Sequence, residues 1–107
     1  MADEVPEGAA VFPIVPEELG VHPLLLAVLH AVVFLEGSEA DVVHPGAAEE
    51  QLELIATQLQ RLRGDDLRRV REDLAVLVDY AKHARWEKTA VLFLKSFLKN
   101  FGVEPNG

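Results

Sequence analysis

The chain has 107 residues, half of them hydrophobic and about a quarter charged, with a net charge of −8, a pI near 4.9 and no cysteine. That is the size and balance of one globular domain with a single modest core, and it excludes disulfides, thiolate metal sites and thiol catalysis. The charge is one-sided: residues 1–60 carry eleven Asp/Glu and neither Lys nor Arg, whereas all ten basic side chains fall between Arg61 and Lys99, beside seven further carboxylates in residues 61–107.

A half without cations cannot neutralise its own carboxylates. They stay in water, pair with the other half, or meet a basic partner. A phosphate backbone is repelled by the net charge, so no nucleic-acid partner is expected. The N-terminus, Met1-Ala2-Asp3-Glu4-Val5-Pro6-Glu7, is acidic where a secretory signal is basic. The longest apolar run, Leu24 to Leu35, falls short of the roughly 20 residues that cross a bilayer. The expectation is a cytoplasmic protein with no membrane partner.

Residues 1–16 hold Pro6, Pro13 and Pro16 and read as an extended proline-rich arm, because each proline keeps itself and its predecessor out of a helix. Phe12, Ile14 and Val15 need cover there, on the arm's own domain or on a neighbour. Pro16 to Gly20 suits one helical turn. A first helix is predicted from Pro23 to Gly37, apolar all round and therefore central in a bundle or at a subunit interface. After an acidic loop from Ser38, a second helix is predicted from Pro45 or Gly46 to Gly64, with Ala48, Leu52, Ile55, Leu59 and Leu62 at four-three spacing and Leu54 and Ala56 widening the stripe.

Asp65 reads as the N-cap of a third helix carrying Leu67, Val70, Leu74, Leu77, Ala81 and Ala84. From Asp66 to Phe101 there is neither glycine nor proline, yet one helix of that length would measure about 54 Å. A break is therefore expected near His83–Glu87. A fourth helix buries Ala90, Leu94, Phe97 and Phe101 and stops at Gly102. The predicted fold is all-α: a compact four-helix bundle over residues 17–102, behind the arm 1–16 and ahead of a flexible tail 103–107.

Four groups of residues invite a chemical reading. Arg61, Arg63, Arg68, Arg69 and Arg71 surround one turn, but Asp65, Asp66, Glu72 and Asp73 lie at helical pairing distance, so ordinary ion pairs account for them. Val-His-Pro occurs at 21–23 and 43–45, and His22 and His44 with Glu36, Glu39 or Asp41 form a weak metal candidate; two histidines at helix entrances are more simply polar punctuation. His30, inside the apolar run, is expected as a hydrogen-bonded core or interface residue. Asp79, His83 and Glu87 would share a face only if the third helix ran past Trp86.

Glu50 and Glu53, with Glu49 beside them, form a Glu-x-x-Glu pair that resembles the first magnesium-binding element of the all-α nucleotide pyrophosphohydrolases. The likeness covers four residues, and the second acidic pair of those enzymes, Glu-x-x-Asp, is not matched by Glu72-Asp73 and Asp79. It implies, as the alternative function, a magnesium-dependent hydrolase using Glu49, Glu50, Glu53 and Glu72.

The primary expectation is a non-enzymatic protein-protein interaction module with no catalytic residues, metal or cofactor. It presents Glu36, Glu39, Asp41, Glu49, Glu50 and Glu53 to a basic protein partner, and toxin-neutralising immunity and antitoxin proteins are similar in this small, acidic character. Because the first and fourth helices are more apolar than one bundle encloses, a homodimer is also expected, with Val32, Phe34, Phe93 and Phe97 as contact residues.

Overall fold

Helix limits in this chain follow its punctuation. In the computed structural model, which describes residues 7–103, four α-helices follow a single 3-10 turn at Glu17–Leu19: α1 (Pro23–Gly37), α2 (Pro45–Leu59), α3 (Gly64–His83) and α4 (Lys88–Asn100). No strand occurs among the described residues. The two Val-His-Pro tripeptides are a repeated helix-starting device. Proline takes the first helical position, where its missing N–H is no loss, and the preceding histidine caps. His22 Nδ1 accepts from the Leu24 N–H at 3.1 Å, and His44 Nδ1 from Gly46 and Ala47 at 3.1 and 3.3 Å.

The expected break after α3 is present, and the long dimension of the protein, 39 Å, is well short of the continuous helix. The Trp86 N–H donates to the Ala81 carbonyl at 2.9 Å and the Arg85 N–H to Lys82 at 3.2 Å, which is the Schellman pattern. Arg85 occupies the left-handed position with φ 61°. The same device ends α4, where Val103 donates to Leu98 and Gly102 to Lys99, both at 3.0 Å, with glycine in the left-handed position at φ 75°. Val103 is thereby buried, so the predicted tail does not begin at 103; residues 104–107, like residues 1–6 of the arm, lie outside the described residues.

Two further boundaries differ from expectation. α2 ends at Leu59, not Gly64, because Gln60 to Arg63 turn away: Arg63 Nη1 donates to the Gln60 and Leu62 carbonyls at 2.7 and 2.8 Å, and Gln60 Nε2 to the Phe101 carbonyl at 2.9 Å. Asp65 is not the α3 cap. It sits in the first turn and pairs with Arg68 at 2.9 Å, where the helix dipole favours a carboxylate.

α1 packs against α2 and α3 against α4. The core joins Leu25, Leu29 and Val32 of α1 to Leu74, Leu77 and Ala81 of α3 and Leu94 and Phe97 of α4, closed by Phe12, Val21 and Phe101. α2 is peripheral: Ala48 alone is fully buried, and Leu52, Ile55, Ala56 and Leu59 are half-buried. Val32 and Phe97, expected at a dimer contact, are both 0% exposed within this core. They hold one chain together and cannot meet a second, because they sit on the inward faces of their helices.

The arm packs in cis. The Ala10 N–H donates to Ser38 Oγ at 2.9 Å and the Glu39 N–H to the Gly8 carbonyl at 2.8 Å, and a Cβ on Gly37 would lie 2.8 Å from that of Ala10. Phe12, 3% exposed, lies edge-on to His30 at 5.4 Å and to Trp86 at 5.6 Å, so it bridges α1 to the α3–α4 turn. His30 is exposed on the bundle surface, in edge contact with the arm and not embedded in the core. At the far end, Asp73 is the one buried charged residue described: it accepts from the His22 N–H at 2.9 Å and from Arg69 Nε at 3.0 Å, and Arg69 Nη2 donates to the Gly20 carbonyl at 3.0 Å. That clamp fixes the start of α1 on α3.

Candidate functional site

With the core and the arm in place, one face of α1 remains in water. Leu24, Ala27, Ala31 and Phe34 recur at spacings of three, four and three and are all exposed, Leu24 by 71% and Phe34 by 40%. An exposed helix face is normally polar; this one carries no charge. Toward the start of α1 the face runs into a groove of about 360 Å³ lined by Leu24, Leu25, Val28, Leu59, Leu62 and Val70, with His22, Asp66 and Arg69 at its polar edge.

In the half of the chain that holds this face every Asp, Glu, Lys or Arg is a carboxylate, while Arg69 of α3 stands at the edge of the groove. Glu36, Glu39 and Asp41 follow it at the end of α1 and in the next loop, and Glu49, Glu50 and Glu53 stand on α2; all six are exposed. Among the described residues none of the six comes within salt-bridge distance of a lysine or arginine. Although Glu36 as a residue is exposed, local desolvation raises its carboxyl above the ordinary glutamate value. It also stands in the last turn of α1, where the helix dipole disfavours an anion.

The other chemical candidates resolve into structure. Of the arginine cluster, Arg61 bonds Gln58, Arg63 caps carbonyls, Arg68 pairs with Asp65 and Arg69 with Asp73. His22 and His44 spend Nδ1 on helix caps. His83 Nδ1 donates to the Asp79 carbonyl at 2.9 Å, while Glu87 stands beyond the left-handed Arg85 as the residue before α4, so the trio is split by the break. No group of three or more His, Asp or Glu is placed to hold a metal among the described residues; Glu49, Glu50, Glu53 and Glu72 are not gathered into one.

A second groove lies at the opposite end of the sequence's charge axis. About 510 Å³ in volume, it is lined by Lys82, Trp86, Lys88, Val91, Leu92 and Lys95. Its signal in the sequence is Lys88, Leu92, Lys95 and Lys99, which repeat at helical spacing on α4. No described helix is long and apolar enough to cross a membrane. Comparison of the chain with protein-family models, curated proteins and solved structures finds no match.

Proposed function

We propose that this protein is a non-enzymatic interaction module that docks a basic, amphipathic protein segment on the exposed face of α1. The observation that carries this reading is the exposed, uncharged stripe Leu24, Ala27, Ala31 and Phe34 in a half of the chain that contains eleven carboxylates and neither lysine nor arginine. An apolar contact supplies affinity, and the surrounding carboxylates raise the encounter rate with a positive partner and repel a negative one. The same charges disfavour the twofold homodimer through α1, since that contact would bring two strongly acidic chain halves together.

A titration with a lysine-leucine amphipathic helical peptide tests it. Binding should weaken steadily from low salt to 0.2 M NaCl, as the Debye length falls to about 8 Å at physiological ionic strength. Both Phe34→Ser, which removes apolar contact, and the triple change Glu49→Gln, Glu50→Gln, Glu53→Gln should lower affinity, the second with a flatter salt dependence. Equal binding by all three proteins would remove α1 as the docking face. A doubled mass of the free chain in light scattering that Phe34→Ser restores to one chain would make the occupant a second copy.

A further inference from the structure

We propose that the groove between the end of α3 and the outer face of α4 binds an acidic peptide segment carrying an apolar side chain between carboxylates. Lys82 comes from α3 and Lys88 and Lys95 from α4, around a floor of Trp86, Val91 and Leu92, and no carboxylate is among its lining residues. Three cations thus converge on one apolar recess in a chain of net charge −8. Among the described residues none of the three is engaged in an ion pair.

Helix stability accounts for Lys82, in the last turn of α3 where the dipole favours a cation, but not for the rest of the arrangement. Lys88 is the first residue of α4, where the helix dipole disfavours a cation. Three residues earlier, Arg85 takes a left-handed conformation that glycine would adopt without strain. Two unfavourable choices in one turn, both adding positive charge, match the tendency of strain to gather at binding sites.

Spacing and shape favour a peptide. Lys88 and Lys95 are seven residues apart on one helix face, about 10 Å along the axis, which is the reach of about three extended residues. In an extended segment side chains two apart share a face, so acidic residues two positions before and after an apolar one, about 13 Å apart, reach the two flexible lysines while the apolar side chain covers Leu92, itself 63% exposed. The groove is open along its length, whereas small-molecule sites enclose about 70–90% of the ligand surface. An anionic membrane surface would repel the protein's net charge.

Trp86 is the only tryptophan in the sequence, so its fluorescence reports on the groove in the full chain. The probe is a blocked Glu-Asp-Leu-Asp-Glu peptide, with Gln-Asn-Leu-Asn-Gln as its neutral counterpart and phosphatidylserine vesicles and palmitate as separate arms. The acidic peptide should give a saturable change whose midpoint weakens with salt. The triple change Lys82→Gln, Lys88→Gln, Lys95→Gln should weaken it by about tenfold or more, and Leu92→Ala should weaken it without altering the salt dependence. All four positions are exposed, and an unchanged thermal midpoint shows that the variants fold; Lys95→Glu alone, expected to weaken binding in the same direction, serves if the triple variant does not. No saturation, an equal response to the neutral peptide, indifference to the lysine changes, or binding of vesicles or palmitate without the peptide would each overturn the proposal. The test is independent of the α1 face, which contains no tryptophan.

Discussion

Replacing Arg85 with glycine should make the protein more stable. At φ 61° a residue with a Cβ is strained by about 1–2 kcal/mol. Glycine relieves that strain but gives back about 0.4–1 kcal/mol through the freedom it adds to the unfolded chain. The net expectation is a gain of about 0.5–1 kcal/mol, which for a chain this length raises the thermal midpoint by about 2–4 °C. The backbone bonds from Trp86 to Ala81 and from Arg85 to Lys82 are kept, as is the edge-on contact between Trp86 and Tyr80 at 5.9 Å, so calorimetry and urea melts should show a higher midpoint with an unchanged denaturant slope. The matched control has the opposite sign. Gly102→Ala puts a Cβ at φ 75°, 2.9 Å from Gln60 Nε2, and should lose about 1–2 kcal/mol. A midpoint that falls or stays level in Arg85→Gly would refute the strain argument and mean that the guanidinium makes compensating interactions in the folded state.

Asp73→Ala leaves the His22 N–H and the Arg69 guanidinium without their shared acceptor and should cost about 2–3 kcal/mol in a urea melt; Asp73→Asn, which keeps an acceptor oxygen, should cost less. Phe12→Ala removes a buried ring and should cost about 3–5 kcal/mol, with a red-shifted Trp86 emission because that ring covers the indole edge. Glu36 has a folded-state carboxyl raised by desolvation, so between the ordinary glutamate value and the raised one the native state holds more proton than the unfolded state, and this group's contribution to stability falls as pH rises through that window. Glu36→Gln should remove that contribution and raise the midpoint at neutral pH, read as the difference between the two proteins' melting temperatures from pH 7 to 4. An identical pH profile for both proteins would contradict the assignment.

The bundle was legible in the chain because its signals are local. Pro23, Pro45 and Gly102 mark helix limits by backbone chemistry alone, and the four-three spacing of Leu67, Val70, Leu74, Leu77 and Ala81 identifies an inward face without knowledge of the partner helix. What could not be read was set by contacts distant in sequence. α2 stops early because Gln60 reaches Phe101. His30 meets Phe12 of the arm outside the core. The face of α1 that stays wet depends on where α2, α3 and the arm leave room, and an all-apolar helix carries no periodicity to disclose it, so Val32 and Phe34 looked equivalent although one is central and the other exposed.

The charge asymmetry gains its meaning from that same division of labour. Stability here comes from an apolar core whose members need no surface ions, and exposed ion pairs contribute only about 0–1 kcal/mol each, so folding places little constraint on which sign each half carries. Had solubility been the sole requirement, mixed charges on both hairpins would serve as well and with less self-repulsion. Instead, among the described residues, the carboxylates of α1, α2 and the loop between them pair with no lysine or arginine, while the end of α3 and α4 gathers lysines around a tryptophan. The two surfaces sit on separate helical hairpins and, on the readings proposed above, take partners of opposite sign. If both proposals hold, one small bundle would bring a basic segment and an acidic one together, a division of charge that the folding of the core does not require.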